Sequence, residues 1–375
     1  MTFTSIFLDE AKEFSECHIR PIAKQMDEKE AISLELVTMF AQKGYLSLPF
    51  SEKFGGKSMS PVQYGLFIEE IGKACCTMRT LLTVQTSLVG ETLAKYGSEE
   101  QQNKWLTQII TGKGIGAFAL TEPEIGSDAS QVKTTYENCG KGYKITGKKK
   151  WISFGDIANF FIVIAQNAGK VSAFIIDKET EGVTTSPIKG LLAGRATHIA
   201  EITFDQVLIP KENLIGPEGG GFSFVVNSAL DQGRYSVAWG GVAIAQECLE
   251  QMVRYACSRT QFSTPIINHQ LIQKMIGDAI TEINAARAFC KSVGGLRQNN
   301  DWTAIEMTGM AKYFASKVAV TVSSDALQIH GGNGFYNEYS IERLFREAKV
   351  LEVIEGTSQI QQQSASKFAI QVYGH

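Results

Sequence analysis

Disulfide patterns, metal-ligand clusters, membrane-length apolar runs and a surplus of one charge are all missing from this 375-residue chain. Its seven cysteines (17, 75, 76, 139, 248, 257 and 290) form no CxxC pair, and none of its five histidines stands at metal-ligand spacing. No metal is expected, and an odd number of scattered thiols fits a reducing compartment with buried, inert side chains. The neighbouring Cys75 and Cys76 read as packing residues. The formal charge of −3 argues against a polyanion-binding surface, so no nucleic-acid partner is expected. The longest basic run, Lys148-Lys149-Lys150, reads as a solvated hairpin turn. No stretch reaches the length of a membrane span. The N-terminal "MTFTSIFLDEAKEF" carries acids and no apolar signal core, so a cytoplasmic enzyme or binding protein is expected.

What is present is the composition of a globular protein, 44% hydrophobic and 20% charged, at a length that suggests more than one core. The first third reads as helices. "IFLDEAKEFSECHIRPIAKQ" is amphipathic, Ser33 and Ser98 are N-cap candidates, and Ser60 is followed by Pro61 at the first helical position. Near residue 116 the pattern changes to short β-branched or aromatic runs: "GYKITGKKKWISFG", "ANFFIVIAQ", "KVSAFIIDK" and "AEITFDQVLIP". Their spacing predicts an antiparallel sheet or small barrel. After "IGPEGGGF" the helical period returns, with Val242, Ala245, Leu249, Met252 and Ala256 on one face. Further helices are expected at 267–297, 302–329, 341–354 and after Glu355. The fold class is α+β, mainly α: a helical domain (1–115), a middle antiparallel β domain (116–217) and a helical bundle (218–375).

Three glycine-rich stretches, "GKGIGAF", "GPEGGGF" and "HGGNGF", look like nucleotide loops. None lies between a strand and a helix in a βαβ unit, which disfavours a Rossmann dehydrogenase. Taken together, "ALTEPEIGSDASQVKT", "KKWISFG", "SRTQFSTPIINHQLIQ", "QIHGGNGFYNEY" and "REAKVLEVIEGTSQIQ" resemble the acyl-CoA dehydrogenase family of flavoproteins, in the family's order and over the whole chain. The resemblance implies a C-terminal four-helix bundle, an FAD cofactor and a homodimer or homotetramer. It implies that Phe118, Leu120 and Thr121 lie along the flavin, and that Gly126 and Ser127 lie near cofactor or substrate. Trp151 would be an aromatic wall and Ser153 a donor to the flavin, where the family more often has Thr. Arg259, Phe262 and Gln270 would hold the pyrophosphate and adenosine across a subunit interface. Gln328, Gly331 and Gly332 would form a second cofactor segment, with Thr357 and Gln359 beside the cofactor as well.

Glu355, bracketed by Val353 and Ile354 and followed by Gly356, resembles the family's catalytic base. An α-C–H is a poor acid, so the base must be desolvated and the thioester carbonyl polarised, here by the Glu355 amide. Val353 and Ile354 would supply the apolar approach. Some branches carry the base on the helix containing "LDQGRYSV"; the matching position is Gly233, which would make room for substrate. Asp231 and Arg234 flank the same opening, Arg234 either near the acyl-pantetheine channel or paired with Asp231. Ile354 departs from the family's common Tyr.

"ALDQGRYSVAWGGVAIAQECL" and "GRATHIAEITF" are most similar to dehydrogenases of polyketide and nonribosomal-peptide assembly lines. That likeness implies an acyl carrier protein substrate, such as 2-hydroxy-3-oxopropionyl oxidised to hydroxymalonyl. Free acyl-CoA is the alternative carrier, and electron-transfer flavoprotein or oxygen the electron acceptor. A flavin-containing relative that binds nucleic acid without catalysis is a further alternative.

Overall fold

The computed structural model describes residues 3–374. The first helical layer holds α1 (Phe3–Phe14), α2 (Arg20–Lys29), α3 (Leu34–Gln42), α4 (Pro61–Ala74), α5 (Cys76–Leu82), α6 (Glu91–Tyr96), α7 (Glu99–Gln101) and α8 (Thr107–Ile110). The expected caps form. Ser33 accepts the Leu36 N–H, and Ser60 and Ser98 make reciprocal capping boxes with Gln63 and Gln101. The first amphipathic run is not one regular helix: a wide π-turn at Ser15–Ile19 separates α1 from α2. Pro21, in the first turn of α2, has no N–H to donate to the carbonyl four residues back, so the ladder re-registers there.

The middle of the chain forms an eight-stranded sheet: β1 (Gly116–Ala119), β2 (Thr135–Asn138), β3 (Gly142–Ile152), β4 (Phe160–Asn167), β5 (Lys170–Asp177), β6 (Val183–Pro187), β7 (Ala200–Pro210) and β8 (Leu214–Ile215). Its order is β6-β7-β3-β2-β4-β5-β8, with β1 beside β4. The sheet is mixed rather than purely antiparallel, because β1 and β2 both pair parallel to β4. β4 explains why "FFIVIA" is an unbroken apolar run: Phe160, Ile162 and Ile164 face the helical core, while Phe161, Val163 and Ala165 fill the sheet's own core. Two faces are buried, so neither can be polar.

The carboxy-terminal helices are α9 (Asn227–Ser258), α10 (Gln270–Gln298), α11 (Ala304–His330), α12 (Ile341–Leu351) and α13 (Ser358–Tyr373), with a small hairpin of β9 (Thr260–Gln261) and β10 (Thr264–Pro265) after α9. Val242, Ala245, Leu249, Met252 and Ala256 are all buried, as their spacing predicts. The central stretch of α9 is buried all round, which a helix tolerates only when its whole surface is apolar or small. At 32 residues it runs about 48 Å. Cys75, Cys76, Cys248 and Cys290 are buried, but Cys17, Cys139 and Cys257 are exposed, against the expectation that the thiols are inert core groups. Among the described residues no helix is long and apolar enough to cross a membrane.

The triple-lysine run is not a solvated turn. It lies within β3, and Lys149 is 0% exposed, its Nζ 2.8 Å from a Glu122 carboxylate oxygen and 2.9 Å from the Leu120 carbonyl. Burial lowers the Lys149 pKa to about 8, against the attraction of Glu122. Glu122 also accepts the N–H groups of Lys133 and Thr134. Removing one partner of such a pair strands the other charge in a dry interior. Lys149→Ala should lower the unfolding free energy by about 3–5 kcal/mol, read from urea denaturation; an unchanged midpoint would contradict a structural role for the pair.

Candidate active site

Glu355 sits in the short connection between α12 and α13, with φ of 55°, a left-handed conformation that costs a non-glycine residue about 1–3 kcal/mol. Gly356 follows at φ 89°, where a side chain would strain the turn and a Cβ would fall 2.6 Å from Gln361 Nε2. Three side chains tie this turn down. Arg234 Nε donates to the Glu355 carbonyl at 3.0 Å, and Lys312 Nζ donates to the Gly356 carbonyl at 2.8 Å. Gln361 Nε2 donates to both carbonyls at 3.3 Å. Thr357 closes the motif as N-cap of α13, accepting the Ile360 N–H. The Glu355 amide N–H donates to no described residue and remains available.

The carboxylate itself points inward. Its Oε2 is buried without a hydrogen-bond partner. It lies against α9 at Gly233, where a Cβ would stand 2.7–2.9 Å from the carboxylate atoms. The space at Gly233 is therefore occupied by the Glu355 carboxylate. Burial pushes the Glu355 pKa up to about 7, against the opposing charges of Arg234, Lys312 and Arg79. Lys312, fully buried, is itself pushed down to about 8 by desolvation. The apolar approach is half of what was expected: Ile354 packs on the core, but Val353 is 58% exposed. Arg234 does not pair with Asp231, which instead meets Arg297 at 2.8 Å.

A second group forms where β1 runs on beside the end of β3. The Lys150 N–H donates to the Thr121 carbonyl at 2.9 Å, bringing Leu120 and Thr121 beside Trp151 and Ser153. β3 carries one extra residue against β7 here, between Lys149 and Ile152, and Trp151 adopts φ 63°. The bulge re-aims the Trp151 indole outward, leaving the residue 50% exposed. Neither the Thr121 nor the Ser153 hydroxyl has a partner among the described residues. Phe118 is buried in β1, whereas Gly126 and Ser127 are exposed in the following loop.

A third group lies at the far end of α9. Arg259, Phe262, His269, Gly331 and Gly332 help to line a cleft of about 450 Å³. Phe262 and Ser263 both have positive φ, as a two-residue hairpin turn requires, and Phe262 stands 91% exposed at its tip. The Arg259 guanidinium has no carboxylate partner among the described residues, and a Cβ on Gly331 or Gly332 would meet nothing. Gln270 and Gln328 are not among the residues lining this cleft, though each adjoins one in the chain (His269 and Ile329), while Gln359 is exposed on the first turn of α13.

Three family models cover the chain in order: acyl-CoA dehydrogenase N-terminal domain (residues 4–113), middle domain (117–207) and C-terminal domain (219–369). The chain belongs to the acyl-CoA dehydrogenase family. It is accordingly an FAD-dependent oxidoreductase. It is 36% identical to the probable acyl-CoA dehydrogenase YngJ of Bacillus subtilis, over 93% of each chain. Its fold matches butyryl-CoA dehydrogenase from Megasphaera elsdenii with a TM-score of 0.94 at 31% identity, over 99% of both chains. A chain from the structure described as the electron transferring flavoprotein of Acidaminococcus fermentans matches at TM-score 0.95 and 33% identity, covering 99% of this chain and 100% of that one.

The residues present fit FAD in two places. Trp151 and the unpartnered hydroxyls of Thr121 and Ser153 offer an aromatic face and donors for a flavin. Arg259 and the open glycine backbone suit a diphosphate, because a planar guanidinium makes bidentate charge-assisted bonds. Sequence reasoning missed Lys312 and Gln361, whose role is visible only once α11 and α13 meet the Glu355 turn.

The raised Glu355 pKa carries a linkage consequence. A buried acid favours folding in its protonated form, so that contribution is complete below the ordinary glutamate range and is lost as pH rises through about 7. Glu355→Gln should therefore melt at a higher temperature than the parent at pH 8 and close to it at pH 5. The reverse order in thermal unfolding would show that the carboxylate is hydrated or paired.

Proposed function

We propose that this enzyme oxidises a short acyl thioester at its β-carbon, with Glu355 taking the proton. The observation that carries this reading is a carboxylate with one oxygen buried and partnerless and its pKa raised by burial to about 7, clamped by its own backbone against Gly233. A base near the operating pH combines the correct charge state with a useful driving force. FAD, when bound, supplies the hydride acceptor. Arg234, Lys312 and Gln361 fix the turn, so the carboxylate meets the substrate in one orientation. The free Glu355 amide is the donor that can polarise the thioester carbonyl as charge develops on it.

The Glu355 turn and the group suited to a diphosphate lie at opposite ends of α9. Gly233, beside Glu355, and Arg259 are 26 positions apart along α9 and its cap, about 39 Å at the helical rise. A second copy of the chain, offering its own hairpin and glycine segment, would complete the site, which supports a homodimer or a homotetramer.

For the carrier we propose an acyl carrier protein, on the likeness of residues 229–249 and 194–204 to assembly-line dehydrogenases. One fitting reaction is oxidation of a 2-hydroxy-3-oxopropionyl group to hydroxymalonyl. The C3 hydrate would lose hydride to FAD and a hydroxyl proton to Glu355, leaving the carboxylic acid. Free acyl-CoA is the second reading, favoured by the naming of YngJ and the butyryl enzyme for CoA substrates. Electron transfer flavoprotein is the acceptor suggested by the Acidaminococcus likeness.

Two measurements test these statements. Glu355→Gln should keep its FAD yet slow anaerobic bleaching of the flavin by substrate at least about a hundredfold; near-normal bleaching would place the base elsewhere. Identical acyl groups offered on both carriers should be oxidised faster from the protein. A consistent preference for acyl-CoA across chain lengths would select the second reading.

A further inference from the structure

A cleft of about 640 Å³ between α2, α9 and the start of α12 takes no part in the chemistry above. It shares only Tyr255 and His330 with the cofactor-end cleft, and the stacked rings of that pair, 4.3 Å apart, stand between the two. Hydrogen bonds across three helices brace it. Arg20 of α2 meets both carboxylate oxygens of Glu247 on α9, at 2.7 and 3.0 Å. The Gln251 amide, one turn on, donates to the same carboxylate and to the Ser340 hydroxyl before α12, each at 2.6 Å. Glu247 is only 1% exposed, so the network belongs to the interior and holds the cleft in one shape.

Charge is where the cleft is incomplete. Its acids are committed: Glu247 to Arg20, Glu338 to Lys24, and Asp27 and Glu342 to Arg346. Glu28 lies 3.9 Å from Lys24 and accepts from Asn337. Arg195 and Arg254 have carboxylates of their own, on Glu30 and Glu250. Arg343, in the first turn of α12, also lines the cleft, and it makes no hydrogen bond or ion pair among the described residues. Its charge acts on the Cys75 thiol, but burial raises that thiol's pKa and keeps it neutral. Glu347, one turn along α12, accepts the Gly194 N–H instead, and burial raises its pKa. The free charge of the cleft is therefore positive.

The rest of the wall offers aromatic rings. Phe335 lines the cleft and is 77% exposed. Tyr339 stands edge-on to Tyr255 and His330, with centroids 5.9 and 5.8 Å away. We propose that this cleft binds a nucleotide, its phosphate on Arg343 and its base against Phe335 and Tyr339. A guanidinium with no donor engaged can form paired charge-assisted bonds with phosphate oxygens. Aromatic side chains stack on any base. A simple anion would use the cation and leave the rings in water, while an apolar ligand would do the reverse. A nucleotide uses both, and the cleft's volume is that of a small-molecule site. The site requires nothing of Glu355, so it stands apart from the acyl-thioester reading.

The test is calorimetry on the FAD-loaded protein, in which the cofactor-end cleft is already filled. ADP is the probe, with adenosine and inorganic pyrophosphate as its separate parts. ADP should bind once per subunit and at least about tenfold more tightly than adenosine, as one charge-assisted bond provides. Arg343→Gln should weaken ADP by a similar factor and Arg343→Lys by less, with FAD content and the melting temperature of the unliganded protein unchanged. Phe335→Ala should weaken ADP at least about fivefold, the loss expected of one stacked base, and leave pyrophosphate as it was. Absence of ADP binding, binding that survives Arg343→Gln, or pyrophosphate bound as tightly as ADP would overturn the proposal. So would ADP binding that appears only once FAD is stripped, since the ligand would then occupy the cofactor-end cleft.

Discussion

Glu355 Oε2 has neither a hydrogen-bond partner nor access to solvent, and a carboxylate so placed is stable only if its surroundings cannot rearrange to relieve it. Much of the carboxy-terminal half meets that condition. The carbonyls on either side of the turn are claimed by Arg234 from α9, Lys312 from α11 and Gln361 from α13, so three helices must be in register before the side chain can point inward. The same cations temper the carboxylate: Arg234 and Lys312 hold its pKa below what burial alone would give. Positioning and tuning are thus done by one set of groups.

The small residues of α9 complete this arrangement. Gly233 admits the carboxylate, Gly240 admits Arg79, and Gly241 lets α11 approach until a Cβ there would be 2.7 Å from the Ala315 carbonyl. None of these glycines is needed for its backbone freedom. Each is an absence of side chain at a point where another element has to enter, and together they let three neighbours press directly against one buried helix.

Much of this could be read in the chain, for physical reasons that also mark where reading stops. Ser33, Ser60 and Ser98 act within their own turns, so the caps were legible. β4 and β5 are buried on both faces, so their apolar runs stood out. Glu355 was legible because a carboxylate between apolar neighbours and a glycine is locally anomalous. Its environment was not, since Gly233 and Arg234 lie more than a hundred residues upstream and only packing brings them together. Lys149 misled in the same way: three successive lysines look solvated until Glu122, on a different strand end, is placed beneath the middle one. The parallel pairing of β1 with β4 was likewise invisible, because strand direction leaves no mark on local composition. Asp231 sat beside Arg234 in sequence but found Arg297 in space.

The uninterrupted run of α9 also constrains how this protein can change. Each residue added to a helix turns everything beyond it by about 100°. An insertion or deletion between Gly233 and Gly240 would leave one of the two glycines facing its carboxylate or guanidinium and swing the other away, driving a Cβ-bearing neighbour into the gap. Between Gly240 and Arg259 it would rotate the hairpin that carries Phe262 relative to the Glu355 turn. Substitutions along α9 can be tested one at a time, but its length cannot drift. Divergence in this helix is therefore confined to changes of side chain, and variation in length is pushed into the loops that flank it.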